Sequence, residues 1–181
     1  MAWRFLLLRF FLWVSVLAWG IVLGAKLFDL RVVAGAWSAA PPDSLSLMPY
    51  GPRFPVNPGQ FFAPISATIL LAAFGALIAG WHTPNRERVW LALSAGSILA
   101  VWIFTMVAFW PRNGTLFAAG SGSPIALTDR DALIRQAHLW VQYDWCRIGM
   151  MVVGFIAAVR AISVPTTSTS CASPTADSLP Q

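Results

Sequence analysis

Two ionisable residues inside one apolar stretch raise the question of chemistry. Asp144 and Arg147 are spaced i, i+3, within pairing reach on a helix. At 100° per residue, Gln136, Trp140, Tyr143, Asp144, Arg147, Met151, Gly154 and Ala158 share one stripe. Its first half is polar and aromatic, its second half small and apolar. Tyr143 is placed to donate a hydrogen bond into the same region. Three uses fit this stripe. The pair can satisfy itself and fix helix register, it can floor a ligand pocket, or it can be a station on an ion or proton path. A path wants a chain of carboxylates or histidines, and the apolar half offers none. No CxxC or Cys/His spacing exists, so no zinc site or disulfide framework is expected, and Cys146 and Cys171 read as free thiols. His138 lies on another azimuth and reads as interfacial, and His82 as a loop histidine.

The surroundings of the stripe are those of a membrane. The 181 residues are 57% hydrophobic and 10% charged, with mean hydropathy +0.67, where a soluble domain carries about 25% charged residues. This excludes an ordinary soluble enzyme and a disordered chain. The net charge of +5 comes from 12 Lys+Arg against 7 Asp+Glu, scattered without a basic stripe, so no nucleic-acid partner is expected. The partner is membrane lipid.

A hydrocarbon core of ~30 Å takes a helix of ~20 apolar residues. Phe61–Trp81 and Val89–Trp110 are uncharged runs of 21 and 22 residues. A first span, about 5–28, is interrupted by Arg9, which can snorkel near a helix end. It resembles a signal peptide, but no small-x-small site follows, and it reads as uncleaved. The fourth span, about 138–162, holds only 12 uncharged residues between Arg147 and Arg160, roughly 18 Å. Arg147 and Asp144 must therefore lie below the outer interface. The helix is expected to start near Asp129, with Thr128 and Asp131 as a capping box. The fold class is an all-α four-transmembrane-helix bundle in one domain, 1–163. A disordered Ser/Thr/Pro tail follows at 164–181.

Counting along the first helix, Asp29 stands 20 residues beyond Arg9, roughly 30 Å, at the outer interface beside Lys26 and Arg31. The third span ends there too, at Trp110-Pro-Arg-Asn113. Asp29, Arg112, Asn113, Tyr143, Asp144 and Arg147 are thus expected to converge on one cavity in the outer half. The segment of about 37–60, rich in proline, reads as a long outer loop lying along the interface through Trp37, Phe54, Phe61 and Phe62. Asn113–Pro124 reads as a flexible loop. Small-residue steps at Gly20/Gly24, Gly75/Ala79, Ala76/Gly80 and Ala92/Gly96/Ala100 suggest close helix packing within one bundle. A homodimer through Gly20 and Gly24 is the alternative.

Several short motifs resemble one family. They are Gly24-Ala-Lys-Leu-Phe-Asp29, Pro41-Pro-Asp-Ser-Leu45, Phe61-Phe-Ala-Pro-Ile65, Phe109-Trp-Pro-Arg-Asn113 and Trp140–Arg147. Together they are similar to the anthrone-oxygenase-like small four-helix membrane proteins, most of unknown function. The resemblance spans roughly Leu17–Ile162. Where such families often carry Glu at the end of the first helix, this chain has Asp29. The resemblance implies oxidation of anthrones to anthraquinones with no metal, flavin or other cofactor. That chemistry needs a base to form an electron-rich anthrolate, which reacts with oxygen directly, and a cation to hold the phenolate. Asp29 or Asp144 would be the base and Arg147 or Arg112 the cation. Asn113 would bind substrate, and Trp140 and Tyr143 would form the aromatic walls. Two functions stay open: a structural, accessory or aromatic-ligand-binding membrane protein, and a cofactor-free oxygenase.

Arg4, Arg9, Arg86, Arg88 and Arg160 crowd the short segments on one side, which points to a multi-pass cell-membrane protein with cytoplasmic termini. A cysteine placed at Pro84 should react with a membrane-impermeant maleimide from the cytoplasmic side only; labelling of intact cells from outside would reverse this topology.

Overall fold

In lipid a backbone must satisfy its own polar groups, and a single apolar segment does so only as a helix. The computed structural model of the protein describes residues 2–50, 54, 56–122 and 129–163. It contains four helices long and apolar enough to cross a membrane: α1 (Trp3–Trp37), α2 (Pro58–Ala79), α3 (Asn85–Gly120) and α4 (Arg130–Ser163). Among the described residues there is no strand. The chain is an all-α, four-helix integral membrane protein.

A tight turn joins α2 to α3. The Gly80 N–H bonds back to the Ala76 carbonyl at 2.8 Å, and Pro84 precedes α3. Trp3, Arg4 and His82 border one hollow at this end. Arg9 Nη1 donates to the Ile162 carbonyl at 2.8 Å, so α1 begins where α4 finishes. Above this end Trp19, Val22, Ile69, Ile98 and Met151 fill the bundle centre. Trp19 is fully buried and its indole N–H donates to Ser94 Oγ at 3.2 Å. The indole lies against Gly154, where a Cβ would overlap it.

α1 and α3 run 35 and 36 residues, over ~50 Å at 1.5 Å per residue, while the hydrocarbon is ~30 Å thick. The surplus lies at the end remote from the termini and builds a cap. There Leu30, Ala34 and Trp37 of α1 meet Leu116 and Ala119 of α3, Leu133 and Ala137 of α4, and Leu45 and Met48 between α1 and α2. Leu45 belongs to a 3₁₀ turn, Asp43–Leu47.

The cap corrects two sequence expectations. The first part of the 37–60 segment does not lie along the interface: residues 37–48 fold inward through Trp37, 2% exposed, Leu45, 0%, and Met48, 4%. The Asn113–Pro124 segment is not a loop up to Gly120, because the apolar pair Leu116 and Ala119 packs against the folded segment. Gly120 lets the Leu45 carbonyl approach so closely that an added Cβ would stand 2.6 Å from it. The small-residue expectation holds in α2 and is corrected in α1 and α3. Gly20, Gly24, Ala92, Gly96 and Ala100 face outward, and nothing comes within 4 Å of a Cβ built at Gly24 or Gly96. In α2, Gly75 receives the Phe11 ring, and Gly80, beside the buried Ala76, receives the Leu91 side chain. Thr128 and the 164–181 tail lie outside the described residues. Asp129 caps α4, its Oδ1 accepting from the Ala132 N–H at 2.9 Å.

Two π-helical turns interrupt the spans, at Asp29–Ala34 in α1 and Thr105–Phe109 in α3. The second has an evident cause. Pro111 has no N–H for the preceding turn, and its ring crowds the carbonyl four residues back, so the helix widens before it.

Gly154→Ala should therefore lower stability by about 1–3 kcal/mol through overpacking against Trp19, while Gly96→Ala should not. Thermal unfolding of both variants in detergent checks the contrast.

Candidate functional site

Both π turns and the mid-point of α4 meet at one level. From Arg9 to Lys26 is 17 residues of α1, about 26 Å of rise, and from Arg160 back to Arg147 is 13 residues of α4, about 20 Å. Both cations therefore fall within the half of the ~30 Å core remote from the termini.

Charges at this depth must be paired, and they are. Asp144, at 0% exposure, stands between two cations. Its Oδ1 accepts from Arg147 Nε at 2.8 Å and also from Nη2. Its Oδ2 has Lys26 Nζ at 3.1 Å and accepts no well-aligned hydrogen bond. Lys26 also binds Asp29 Oδ2. The four groups form a chain, Asp29–Lys26–Asp144–Arg147, of two positive and two negative charges. Its members come from α1 and α4, so it ties the first helix to the last.

Aromatic faces complete the coordination. The Arg147 guanidinium carbon lies 3.9 Å from the Phe109 ring centroid and 5.9 Å from that of Trp140. Lys26 Nζ is 5.1 Å from Phe62 and 5.2 Å from Trp140. Rings offer a cation a negative face without adding a charge. Thr105 opens the α3 π turn and lies 3.4 Å from Arg147 Nη1 through its Oγ1. The widened turn thus presents Thr105 and Phe109 to the same guanidinium.

A cavity of about 310 Å³ adjoins the chain of charges, at the small end of the ~300–1,000 Å³ of ligand pockets. Its wall includes Lys26, Arg147, Trp140, Asn113, Phe62, Phe109, Thr105 and Tyr50. Asn113 Oδ1 accepts from the Trp140 indole N–H at 2.9 Å, fixing both. Tyr50 reaches the wall from the cap, its ring stacked on Phe117 at 4.1 Å. Burial, and after it the charge of Asp29, raises the Tyr50 phenol well above its ordinary pKa, so it stays an O–H donor.

The expected residues thus divide. Asp29, Asp144 and Arg147 do meet, and Asn113 and Trp140 meet beside them. Asp29 and Asp144 are not part of the cavity wall: they stand behind Lys26 and Arg147. Arg112 and Tyr143 are also off the wall. They pair with each other, the guanidinium carbon 4.6 Å from the ring centroid, and Arg112 Nη1 donates to the Ala108 carbonyl. Lys26 is the residue the site depends on that the sequence stripe did not single out. Its signal was present: Lys26 and Asp29 repeat the i, i+3 spacing of Asp144 and Arg147. His138 and Cys146 are exposed, and among the described residues no group of His, Cys, Asp and Glu is placed to hold a metal.

Removing one member of a buried pair strands the other. Asp144→Asn leaves Arg147 without a carboxylate and should destabilise the fold by ~3–5 kcal/mol. The double change Asp144→Asn with Arg147→Gln keeps Lys26 on Asp29 and should recover much of this loss. Thermal shifts of the three proteins in detergent test it.

Residues 54–157, more than half of the chain, match the sequence model of the anthrone oxygenase family. No curated protein and no solved structure matches the chain significantly. The matched segment takes in Phe62, Thr105, Phe109, Asn113, Trp140, Asp144 and Arg147, while Lys26, Asp29 and Tyr50 precede it. With the motifs of the first span, the four-helix membrane fold and this match together, the chain belongs to the anthrone oxygenase family.

Proposed function

We propose that the protein oxidises an anthrone-type tricyclic ketone to the quinone with molecular oxygen, inside the membrane. The observation that carries this reading is the polarity of the cavity. It presents two cations, Lys26 and Arg147, between aromatic faces, and keeps their carboxylates behind them. Such a wall suits a flat aromatic molecule that becomes an anion as it reacts.

Loss of a methylene proton from the substrate places negative charge on its carbonyl oxygen. Lys26 and Arg147 hold that oxyanion, and the low dielectric of the site makes the contact stronger than in water. Tyr50 adds a neutral O–H donor. The proton goes to Asp29, relayed across Lys26, which already binds it. Asp144 is the poorer acceptor because it holds Lys26 and Arg147 together. The total charge of the site is then unchanged, since one carboxylate is neutralised as one oxyanion forms. The carbanionic ring gives an electron to oxygen, and superoxide and the ring radical join at the methylene carbon. Asp29 returns its proton to the peroxide, and loss of water leaves the new carbonyl. One oxygen atom ends in the quinone, and the other leaves as water with the two methylene hydrogens.

Asp29 and Lys26 thus act in the proton transfer, Arg147 in holding charge, and Asn113 and Trp140 in seating the rings. Asp144, Arg112 and Tyr143 position these groups without touching substrate. The arginines that crowd the short segments support a cell-membrane location with cytoplasmic termini. The cavity then lies toward the outer face.

Lys26→Met combined with Asp29→Asn removes one charge of each sign and leaves the Asp144–Arg147 pair whole. In proteoliposomes given an anthrone, this variant should stay folded, losing less stability than Asp144→Asn, and lose about 100-fold or more in kcat/KM, read as oxygen uptake and quinone absorbance. Wild-type turnover surviving in the double variant would remove these residues from the reaction. A wild-type protein that takes up no oxygen would end the oxygenase reading.

A further inference from the structure

The cavity has a mouth, and its position says from where it fills. α1, α4 and the cap contribute Lys26, Arg147, Trp140 and Tyr50 to the cavity wall. The remaining wall is shared by the first turns of α2 and the last membrane turns of α3. α2 contributes Gly59, Phe62, Ala63 and Ser66, and α3 contributes Thr105, Met106 and Trp110 among others. These two helices are joined by a tight turn at the other end, so a gap between them is free to open at this end only. On the gap's rim Ala63, Met106 and Trp110 are exposed, Trp110 at 63% and Met106 at 44%.

The depth of this rim follows from helix rise. Ala63 stands 17 residues before the Gly80 turn and Met106 18 residues after Arg88, about 26 and 27 Å up a hydrocarbon core of ~30 Å. Trp110 lies one further turn up, at the level where exposed tryptophans line a membrane surface. The exposed rim therefore faces acyl chains just below the headgroups and not bulk water.

We propose that the cavity is loaded sideways from the lipid leaflet, through the gap between α2 and α3, by a planar aromatic molecule dissolved in the bilayer. Such a molecule rests near the headgroup boundary, its rings in hydrocarbon and its polar edge toward water. Sliding between Ala63 and Met106, it meets Phe62 and Trp140 with its rings and Lys26 and Arg147 with its polar edge. This rests on the oxygenase reading for its substrate class but places a separate demand on the structure, the route of entry.

The test uses the full chain in lipid nanodiscs and 9-anthracenemethanol, a fluorescent tricyclic probe that accepts energy from nearby tryptophans. Ala63→Trp and Met106→Trp both alter exposed rim positions, so folding is undisturbed. Each should slow probe association by about tenfold or more while the equilibrium Kd changes less than about twofold. The same variants should lower kcat/KM for an anthrone presented in the same nanodiscs. Unchanged association rates in both variants, with the wild type binding normally, would overturn lateral loading and leave the oxygenase reading standing. Binding slowed at the rim in a protein without anthrone turnover would overturn the oxygenase reading and leave the lateral route standing. No energy transfer in the wild type would overturn both.

Discussion

Everything at the centre of this bundle depends on one carboxylate without solvent. Asp144 is completely buried at a depth where an isolated charge is costly. Two cations, Arg147 on its own helix and Lys26 from the first, make the position tolerable. The arrangement is asymmetric in its use. Asp144 gives its two oxygens to the two cations, and both cations, not the carboxylates, line the cavity. The anion is thus a fixed counter-charge, and the cations are what the pocket shows to a ligand. A pocket of the same shape with the carboxylates in front would repel a developing oxyanion. Order along the chain of charges, and not its neutral sum, decides which chemistry the site favours.

The backbone irregularities serve the same cluster. The π turn of α1 begins at Asp29, the end of the chain of charges, and that of α3 carries Thr105 and Phe109 to Arg147. A wide turn re-aims side chains relative to a regular helix, and such turns recur at functional sites. In α3 the proline that follows enforces it. The cap then fixes both turns from above: Leu30 and Ala34 in the first and Ala108 and Phe109 in the second belong to its apolar core. Helix surplus that lipid cannot cover has become the roof of the site.

The sequence made the spans and the class legible because hydropathy over ~20 residues is a strong, local signal. It also placed Asp144 and Arg147 at depth, since the distance to Arg160 is a matter of counting. The rest failed for identifiable reasons. Small-xxx-small spacing says where helices can approach, not which face turns inward: Ala92, Gly96 and Ala100 face outward, while Gly75, Gly80 and Gly154 take the tight contacts. Proline and glycine marked the 37–60 and 113–124 segments as loops, and a few buried side chains, Leu45, Met48 and Leu116, fold residues 37–48 and 113–120 into the cap. Lys26 escaped because a lysine near a helix end usually snorkels to water. Only the cap, which is tertiary, denies it that exit. That Asp29 and Asp144 are off the cavity wall could not be read for a similar reason, because sequence places residues at a level but not in front of or behind one another.

That distinction bears on how a small membrane protein can run oxygen chemistry. In the reaction proposed above, the substrate supplies the electrons and the ring system stabilises the radical, which leaves the protein two tasks: to make the anion and to keep its charge from escaping to water. Both are met by burial together with pairing. A lysine and an arginine exposed at a membrane surface would attract an oxyanion only weakly, because water screens each charge. Buried without partners, each charge would be costly. Held between carboxylates and aromatic faces, the two charges are matched at depth, and in the proposed reaction the proton that leaves the substrate has a carboxylate one hydrogen bond behind the lysine. Charge therefore moves inside the site without any net charge entering the membrane.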